Sequence, residues 1–290
     1  MLKQYVLAKS MDDVLECFKE YPGEARIIAG GTDLVLDMES GKVQCSCLID
    51  ITGIDELKKI ELADQKVTIG AAVTHSEVNR SELIKATAAV LSQACGTVGS
   101  LQIRNIATVV GNVVNGQPAA DAAVALMALG AEAEVACLSG TRTVPLEDLY
   151  AGLGKTSIDC AKEIVTSVKF PALKENQGSA FVRFAQREAL ALPMLNVAVS
   201  LSLNDDKTIE WVRIAMAPVG PRPVRARCAE EMLTGSVISG ELFEKAAEEA
   251  LKEASPRDSA LRGTSEYRKD VLPVLVRRAL EAAVASIKCF

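Results

Sequence analysis

Two glycine-containing turns lie far apart in this chain, and each one interrupts an apolar segment. The first is Ile27-Ile28-Ala29-Gly30-Gly31-Thr32-Asp33-Leu34, where an apolar run breaks at two glycines and resumes with helical spacing. The second is Gln102-Ile103-Arg104-Asn105-Ile106-Ala107-Thr108-Val109-Val110-Gly111-Asn112, with Pro118-Ala119-Ala120-Asp121 soon after it. Because glycine has no Cβ, the backbone N–H groups of such a turn can approach an anion closely.

Polar side chains accompany the glycines in both turns. Thr, Asn and Asp offer hydroxyl, amide and carboxylate partners of the kind that hold a pyrophosphate and a ribose or ribityl chain. One such turn is a weak signal, but two of them predict a dinucleotide cofactor. The G-x-G-x-x-G pattern of a nicotinamide-binding Rossmann unit is absent, so that fold is the weaker interpretation.

Three motifs in these segments resemble those of a known family. AGGTDL near residue 30, QIRNxxTxxGN near residue 110 and PAAD just beyond it are similar to the flavin-binding subunit of molybdenum hydroxylases. That family includes the subunits of bacterial xanthine dehydrogenases and the medium subunit of aerobic carbon monoxide dehydrogenase. The resemblance extends over nearly the whole chain, and the motifs are specific in combination.

The resemblance implies an α+β fold in two domains. Residues 1–172 would form a two-lobed FAD-binding domain of the PCMH (vanillyl-alcohol oxidase-like) type, with sub-lobes at about 1–54 and 55–172. Residues 173–290 would form a domain like the C-terminal domain of CO dehydrogenase flavoproteins. We place the boundary in the polar, breaker-rich segment 171–178. The strand patterns that follow, with helical patterns after them, predict an antiparallel three-stranded sheet covered by helices on one face.

Local patterns predict the elements around the two turns. These are a helix at 33–38, strands at 43–51 and 66–73, a helix from 76 to 94, and a helix at 119–129. Gly130 follows the last of these helices and is expected to end it in a left-handed conformation.

The resemblance implies FAD as the cofactor of this chain, with neither a catalytic acid–base residue nor a metal ligand. The implied cofactor-binding residues are Arg26, Ile27, Ile28, Ala29, Gly30, Gly31, Thr32, Asp33, Ile103, Ala107, Thr108, Val110, Gly111, Asn112, Asp121, Ile164 and Arg183. It also implies two partners, a small iron–sulfur subunit with two-iron two-sulfur clusters and a large molybdopterin subunit. NAD or another acceptor would take the electrons.

Several polar residues keep two interpretations each. Asp33 would repel a phosphate, so it either caps the following helix or binds a sugar hydroxyl. Gln102 and Arg104 either hold their loop together or contact the edge of the flavin ring. Members of the family commonly have a lysine at the position of Arg183, where a positive charge would stabilise the anionic reduced flavin. The alternative for Arg183 is a solvated arginine on a strand.

The composition excludes several classes of protein. The chain has 290 residues, 49% of them hydrophobic, and a net charge of −6 without a basic run, which argues against a nucleic-acid partner. No apolar stretch approaches the roughly 18–20 residues that span a bilayer. Its first residues lack the apolar core of a signal peptide, so the cytoplasm is the expected compartment.

The cysteine and histidine residues offer little chemistry. The eight cysteines contain no C-x-x-C pair, which is typical of buried free thiols rather than of a metal site or an inserted iron–sulfur loop. Cys45 and Cys47 alternate in a strand-like run, which would point both thiols to one face. The single histidine, His75, lies in the capping-box pattern Thr74-His75-Ser76-Glu77, and its place at the start of a helix predicts an exposed side chain.

The sequence therefore predicts an oxidoreductase subunit that carries FAD, transfers electrons, and is active only as part of a complex. Two alternatives remain: a self-sufficient FAD-dependent oxidoreductase of the same fold, and a non-enzymatic module that binds a nucleotide or partner proteins. Family members that reduce NAD often have acidic residues where this chain has Ala189-Leu190-Ala191-Leu192, so the acceptor stays open. The substrate (a purine, carbon monoxide or another heterocycle) also stays open, because that specificity would belong to the molybdenum subunit.

Overall fold

The computed structural model describes residues 2–188 and 190–287, and its elements build around two hydrophobic cores. One core draws mainly on residues 8–170, and the other on residues 180–287. The expected α+β architecture is confirmed. The first core also includes three alanines of the C-terminal sheet, Ala198, Ala215 and Ala217. The two parts of the chain therefore pack closely against each other.

The first lobe is a small parallel sheet with two helices. Its strands are β1 (Gln4–Leu7), β2 (Ala25–Ile28) and β3 (Cys47–Asp50), in the order β1-β3-β2, and its helices are α1 (Met11–Glu20) and α2 (Leu34–Glu39). Helix α1 begins with a reciprocal capping box between Ser10 and Asp13. Val14, Cys17 and Phe18 then recur at helical spacing and are buried, which fixes the helix against the sheet.

The second lobe is a five-stranded antiparallel sheet with short helices. Its strands are β4 (Ile60–Ala63), β5 (Lys66–Gly70), β6 (Glu132–Cys137), β7 (Gly140–Pro145) and β10 (Glu163–Pro171), in the order β4-β5-β10-β6-β7. The helices are α3 (His75–Arg80), α4 (Glu82–Thr87), α5 (Ala89–Thr97), α6 (Leu101–Arg104), α7 (Val109–Val114), α8 (Asp121–Ala128) and α9 (Leu146–Leu149). A small hairpin, β8 (Tyr150–Gly152) and β9 (Lys155–Thr156), follows α9.

Helix α8 lies at the centre of the molecule. All eight of its residues are buried, because its alanines allow close packing against α5 and α7 on one side and against the C-terminal sheet on the other. Gly130 follows with φ +68°, which confirms the predicted left-handed end of the helix.

The C-terminal part is an antiparallel sheet with three helices. The strands are β11 (Gln177–Phe184), β12 (Leu195–Leu203), β13 (Ile209–Ala217) and β14 (Val224–Arg225), and the helices are α10 (Arg227–Leu233), α11 (Gly240–Lys252) and α12 (Ser265–Ala285). The three predicted strands are present, and the two-residue β14 adds a fourth at the edge. Every residue of β12 is buried, because α8 covers one face of the strand and α12 the other.

Some local predictions were wrong. The single helix expected from 76 to 94 is three helices, because Ser81 and Ala88 leave the helical conformation and Ser81 caps α4 through its hydroxyl. The strand expected at 43–51 shortens to β3, so Cys45 lies before the strand instead of alternating within it with Cys47. Both thiols are nevertheless buried, as expected.

Candidate functional site

A cleft of about 640 Å³ runs between the first lobe, the second lobe and the C-terminal part of the chain. Its volume falls in the usual range for a cofactor or ligand site. All seventeen residues that the sequence predicts to bind the cofactor line this cleft: Arg26, Ile27, Ile28, Ala29, Gly30, Gly31, Thr32, Asp33, Ile103, Ala107, Thr108, Val110, Gly111, Asn112, Asp121, Ile164 and Arg183. The fold therefore brings residues from four separate stretches of the sequence to one surface.

The first glycine turn connects β2 to α2. Gly31 has φ +67°, a left-handed conformation that favours glycine. Asp33 precedes α2, but its side chain makes no capping hydrogen bond, so the helix-cap interpretation of this residue is wrong. Burial raises the pKa of Asp33, the nearby Asp37 raises it further, and a hydrogen bond with Asn115 opposes the rise.

The second turn is fixed by hydrogen bonds to the start of α3. The amide of His75 donates to the carbonyl of Ala107 at 3.0 Å, and the amide of Val109 donates to the carbonyl of Val73 at 3.1 Å. Thr108 is the N-cap of α7, and its hydroxyl accepts a hydrogen bond from the amide of Gly111 at 3.0 Å. These bonds hold both ends of the turn in place.

The two glycine turns are in direct contact with each other. A Cβ built on Gly30 would lie 2.6 Å from the carbonyl carbon of Ile106 and closer still to its oxygen. Glycine is therefore required at this position for packing, because any side chain would push the two turns apart. The two turns therefore adjoin each other in the wall of the cleft.

Asn112 supplies an independent sign that this wall receives a ligand. Its Oδ1 atom is buried and has no hydrogen-bond partner in the described part of the chain. A buried acceptor without a donor is costly, and such groups are normally satisfied. The glycine turns and this unpaired acceptor, side by side in a cleft, fit a ligand with phosphate and hydroxyl groups.

Arg183 and Asp121 form a buried ion pair at another part of the cleft. The Nε atom of Arg183 lies 3.2 Å from Oδ2 of Asp121, and the two side chains are only 9% and 5% exposed. Asn196 donates to the other carboxylate oxygen at 2.6 Å, and the hydroxyl of Thr97 also bonds to Asp121. Burial raises the pKa of Asp121, and the charge of Arg183 opposes that rise.

The Arg183–Asp121 pair corrects the expectation for Arg183 and limits the expectation for Asp121. Arg183 is not a solvated arginine on a strand, since it is paired and also donates to the carbonyl of Ala191. Both oxygens of Asp121, which the resemblance implies as a cofactor-binding residue, already accept hydrogen bonds from protein groups. Arg104 donates to the carbonyls of Val98 and Gly99 at 3.1 and 3.4 Å, which favours its loop-holding interpretation, while Gln102 lies on the exposed surface outside the cleft.

His75 is fully buried, contrary to the exposed position predicted for it. The predicted capping box of Thr74 and Glu77 is present, but the first residue of α3 faces inward beneath the cleft. Its Nδ1 atom lies 3.4 Å from the Sγ atom of Cys95, and among described residues its Nε2 atom has no partner. Burial lowers the pKa of His75 to about 4, and the charge of Arg104 adds to this effect.

The sequence motifs do not predict the cleft residues that come from other segments of the chain. Those that the structure adds include His75, Val98, Asn115, Gln117, Ile158, Cys160, Glu163, Ala191, Leu192, Pro193 and Arg262. Most of them lie outside the glycine motifs, so only the tertiary fold places them at the cleft. Within the described ranges 2–188 and 190–287, no group of three or more His, Cys, Asp or Glu side chains could hold a metal ion, and no helix is long and apolar enough to cross a membrane.

Comparison with known proteins identifies the two parts of the chain. Residues 2–173 match the family described as the FAD binding domain in molybdopterin dehydrogenase, and residues 180–283 match the CO dehydrogenase flavoprotein C-terminal domain. The xanthine dehydrogenase FAD-binding subunit of Escherichia coli O157:H7 is 28% identical over 284 residues, which cover 97% of this chain and 96% of that protein. The nicotine 6-hydroxylase medium subunit of Paenarthrobacter nicotinovorans is 32% identical over 282 residues, 97% of each chain.

A solved structure of a related protein has a closely similar fold. A chain of carbon monoxide dehydrogenase from Hydrogenophaga pseudoflava, in a form that lacks the Mo-pyranopterin moiety, superposes with a TM-score of 0.92 over 99% of both chains at 27% identity. The fold and the cleft thus define a flavoprotein of the molybdenum hydroxylase class. The chain belongs to the family of FAD-binding medium subunits of these enzymes, which confirms the resemblance inferred from its motifs.

Proposed function

We propose that this chain is the electron-transfer subunit of a molybdenum hydroxylase complex. It would hold FAD, receive electrons from an iron–sulfur subunit, and pass them to NAD or another acceptor. A separate molybdopterin subunit would oxidise the substrate. Family membership supports the flavin role, while the partners, the direction of electron flow and the acceptor are proposals of ours.

The observation that carries the proposal is the contact between the two glycine turns. Gly30 packs directly on Ile106, so both turns line one cleft. We propose that the turns bind the pyrophosphate through their backbone N–H groups, and that Asp33 and Asn112 bind sugar hydroxyls or amide donors of FAD. Bound FAD would supply the ring that accepts and releases the electrons.

The apolar residues near the cleft support a role inside a larger assembly. Ile103 and Leu192 line the cleft and are 36% and 58% exposed, and Leu101 and Ile106 beside them are each 52% exposed. Apolar side chains grouped around a ligand cleft are typical of a surface that meets another protein. We propose that the iron–sulfur subunit covers this edge, which would bring its cluster within electron-tunnelling reach of the flavin.

The relatives do not decide the substrate. They carry names that refer to xanthine, nicotine and carbon monoxide, and all three are similar to this chain to a comparable degree. We propose that specificity belongs to the molybdenum subunit, because that subunit would hold the substrate. The single histidine of this chain is buried against Cys95.

Two measurements test the proposal. Acid denaturation of the purified chain or complex should release a flavin that mass spectrometry identifies as FAD, and recovery of FMN or no flavin would refute the cofactor assignment. Anaerobic addition of a candidate substrate should reduce the flavin in the assembled complex and leave it oxidised in the isolated chain. Reduction of the isolated chain at the rate of the complex would instead establish a self-sufficient oxidoreductase.

A further inference from the structure

Three arginine side chains line the cleft, and their charges are balanced differently. Arg183 is paired with the carboxylate of Asp121 at 3.2 Å, so its positive charge is largely neutralised. Arg26 lies on β2, just before the first glycine turn, and donates to the backbone carbonyl of Ala25 at 2.7 Å. Arg262 comes from the segment before α12, and no carboxylate within 4.0 Å pairs with it among residues 2–188 and 190–287.

Arg262 is held at the cleft by its backbone rather than by its side chain. Its amide bonds to the hydroxyl of Ser259 at 3.2 Å, and Ser259 in turn pairs with Gly263 across a short bridge. Gly263 has φ +83°, which turns the chain back toward α12. This closed turn therefore places the guanidinium at the cleft. The N–H donors of the guanidinium remain available to another group.

The Nε–H group of Arg262 is buried and has no acceptor in the described structure. A guanidinium is planar and presents five N–H donors, so it matches an anionic acceptor that lies in its plane. Burial lowers the pKa of Arg262, and the nearby Arg257 lowers it further, which means that the positive charge lacks a compensating anion. An anionic group in the cleft would supply both the missing acceptor and the missing charge.

Arg262 lies next to an apolar part of the cleft, which suits a planar ring. A Cβ built on the neighbouring Gly263 would lie 3.0 Å from the Cε atom of Met194, and the apolar residues just before Met194 line the cleft (Ala191, Leu192 and Pro193), whereas the glycine turns belong to the other lobes. If FAD binds with its pyrophosphate on the glycine turns, the ring remains for this apolar part. The oxidised ring is neutral, and a ring that accepted two electrons and one proton would carry a negative charge, so a positive charge here would favour the reduced cofactor.

We infer that Arg262 is the side chain that stabilises the negative charge of the reduced flavin and thereby sets its potential. This inference rests on the proposed function, because it requires FAD in the cleft. Arg262 thus takes the role of stabilising the anionic reduced flavin, which is assigned to Arg183 from the sequence. Arg183 instead donates to the carbonyl of Ala191 and pairs with the carboxylate of Asp121.

The test uses FAD-loaded protein with Arg262→Gln and Arg262→Lys, and Arg257→Gln as the matched control. Arg257 is an arginine of the same segment that does not line the cleft. Reductive titration against a reference dye should show a flavin about tenfold harder to reduce in Arg262→Gln, which is about 30 mV for a two-electron couple. Arg262→Lys should stay within about threefold of the wild type because it keeps the charge. Arg257→Gln should not change the potential measurably.

Sulfite provides a second measurement on the same proteins. Its sulfur lone pair forms a bond to the N5 atom of the oxidised flavin, and the electron pair that is displaced leaves the ring negatively charged. Arg262→Gln should therefore weaken sulfite binding about tenfold, with Arg262→Lys and Arg257→Gln close to the wild type. An Arg262→Gln protein with full FAD content, an unchanged potential and unchanged sulfite binding would overturn the inference.

The remaining outcomes are also decisive. Loss of oxidised FAD from both Arg262 variants, with FAD retained in Arg257→Gln, would overturn the inference because Arg262 would then be needed in both redox states. A shift of the flavin potential in Arg257→Gln equal to that in Arg262→Gln would also overturn the inference, because the effect would then belong to the whole arginine-rich segment. A wild-type protein without FAD would refute the proposed function instead, and is recognised before any variant is measured.

Discussion

The two ends of the cleft are built in different ways. At the end formed by the glycine turns, the wall is backbone: Gly30 packs on Ile106, and Thr108 bonds to the amide of Gly111. At the end formed with the C-terminal sheet, the wall is held by charged side chains, with Arg183 and Asp121 paired in the interior. The first end has no room for added atoms, and the second depends on the balance of charge within the Arg183–Asp121 pair.

This difference explains why the two ends fail for different reasons. A wall made of backbone depends on the absence of side chains, so a substitution that adds side-chain volume disrupts it. A buried ion pair depends on both partners, because removal of one leaves the other desolvated and uncompensated. Substitutions at each end separate these two dependences, each against a control elsewhere in the chain.

The largest effect is expected for Gly30→Ala. The new Cβ would lie 2.6 Å from the carbonyl carbon of Ile106, so the turns must separate and FAD binding should be lost. We expect a loss of about 4 kcal/mol in the free energy of unfolding, the upper range for a single substitution. Urea unfolding and flavin content measure the two effects.

Gly41→Ala is the control for Gly30→Ala. Gly41 has φ +74° but no atom within 4 Å of an added Cβ, so only backbone strain of about 1 kcal/mol is expected there, with FAD retained. Gly31→Ala should fall between them, because it combines φ +67° with a contact of 3.1 Å to Ile28. Retention of FAD by Gly30→Ala would show that the turns can move apart, and the backbone wall would lose its explanation.

At the charged end, Asp121→Asn should cost about 3 kcal/mol in the free energy of unfolding. The substitution keeps the shape of the side chain but leaves the charge of Arg183 buried without a counterion. Glu281→Gln is the matched control, because its pair with Arg277 is 46% and 37% exposed and should contribute less than about 1 kcal/mol. Equal losses in the two variants would mean that burial does not strengthen the dependence on this pair.

The same contrast shows what the sequence could predict. The glycine end is made of two short contiguous motifs, so the residue types and their spacing identify it without the fold. The charged end joins Asp121 to Arg183 and Asn196, which are distant in sequence and meet only because α8 packs against the C-terminal sheet. Nothing in the local pattern around Asp121 specifies a partner so far along the chain.

His75 shows a second kind of failure. Its capping box was predicted correctly from four residues, yet the side chain is buried and not exposed. A capping box fixes where a helix begins, but it does not fix which way the first residue faces. That direction comes from the pairing of Thr74 with Thr108, a tertiary contact between the start of α3 and the second glycine turn.

The burial of His75 predicts a pH dependence of stability beneath the glycine end. Its pKa falls from 6.5 to about 4 on folding, so between these values the unfolded chain binds more protons and stability decreases as pH falls. We expect a loss of about 2 kcal/mol between pH 7 and pH 5 from this residue. Urea unfolding of the wild type and His75→Gln at both values measures the difference.

The comparison of these two proteins isolates the histidine. The carboxylates, including Asp33 and Asp121 with their raised pKa values, titrate in both proteins and cancel in the difference. Because the chain has a single histidine, no second imidazole contributes between pH 5 and pH 7. A pH dependence that stays unchanged in His75→Gln would contradict the buried, neutral state of this side chain.

The smallest effect separates helix capping from cofactor binding at the glycine end. Thr108→Ala removes the hydroxyl that accepts from Gly111 at 3.0 Å, and Ser10→Ala removes the N-cap of α1, which lies outside the cleft. Each substitution should cost about 1 kcal/mol in the free energy of unfolding, the usual contribution of an N-cap. Only Thr108→Ala should also weaken FAD, by about tenfold, because the amide of Gly111 would lose the orientation that this hydroxyl gives it. If both variants kept the wild-type Kd for FAD in a fluorescence titration, the cap would stabilise α7 without shaping the wall of the cleft.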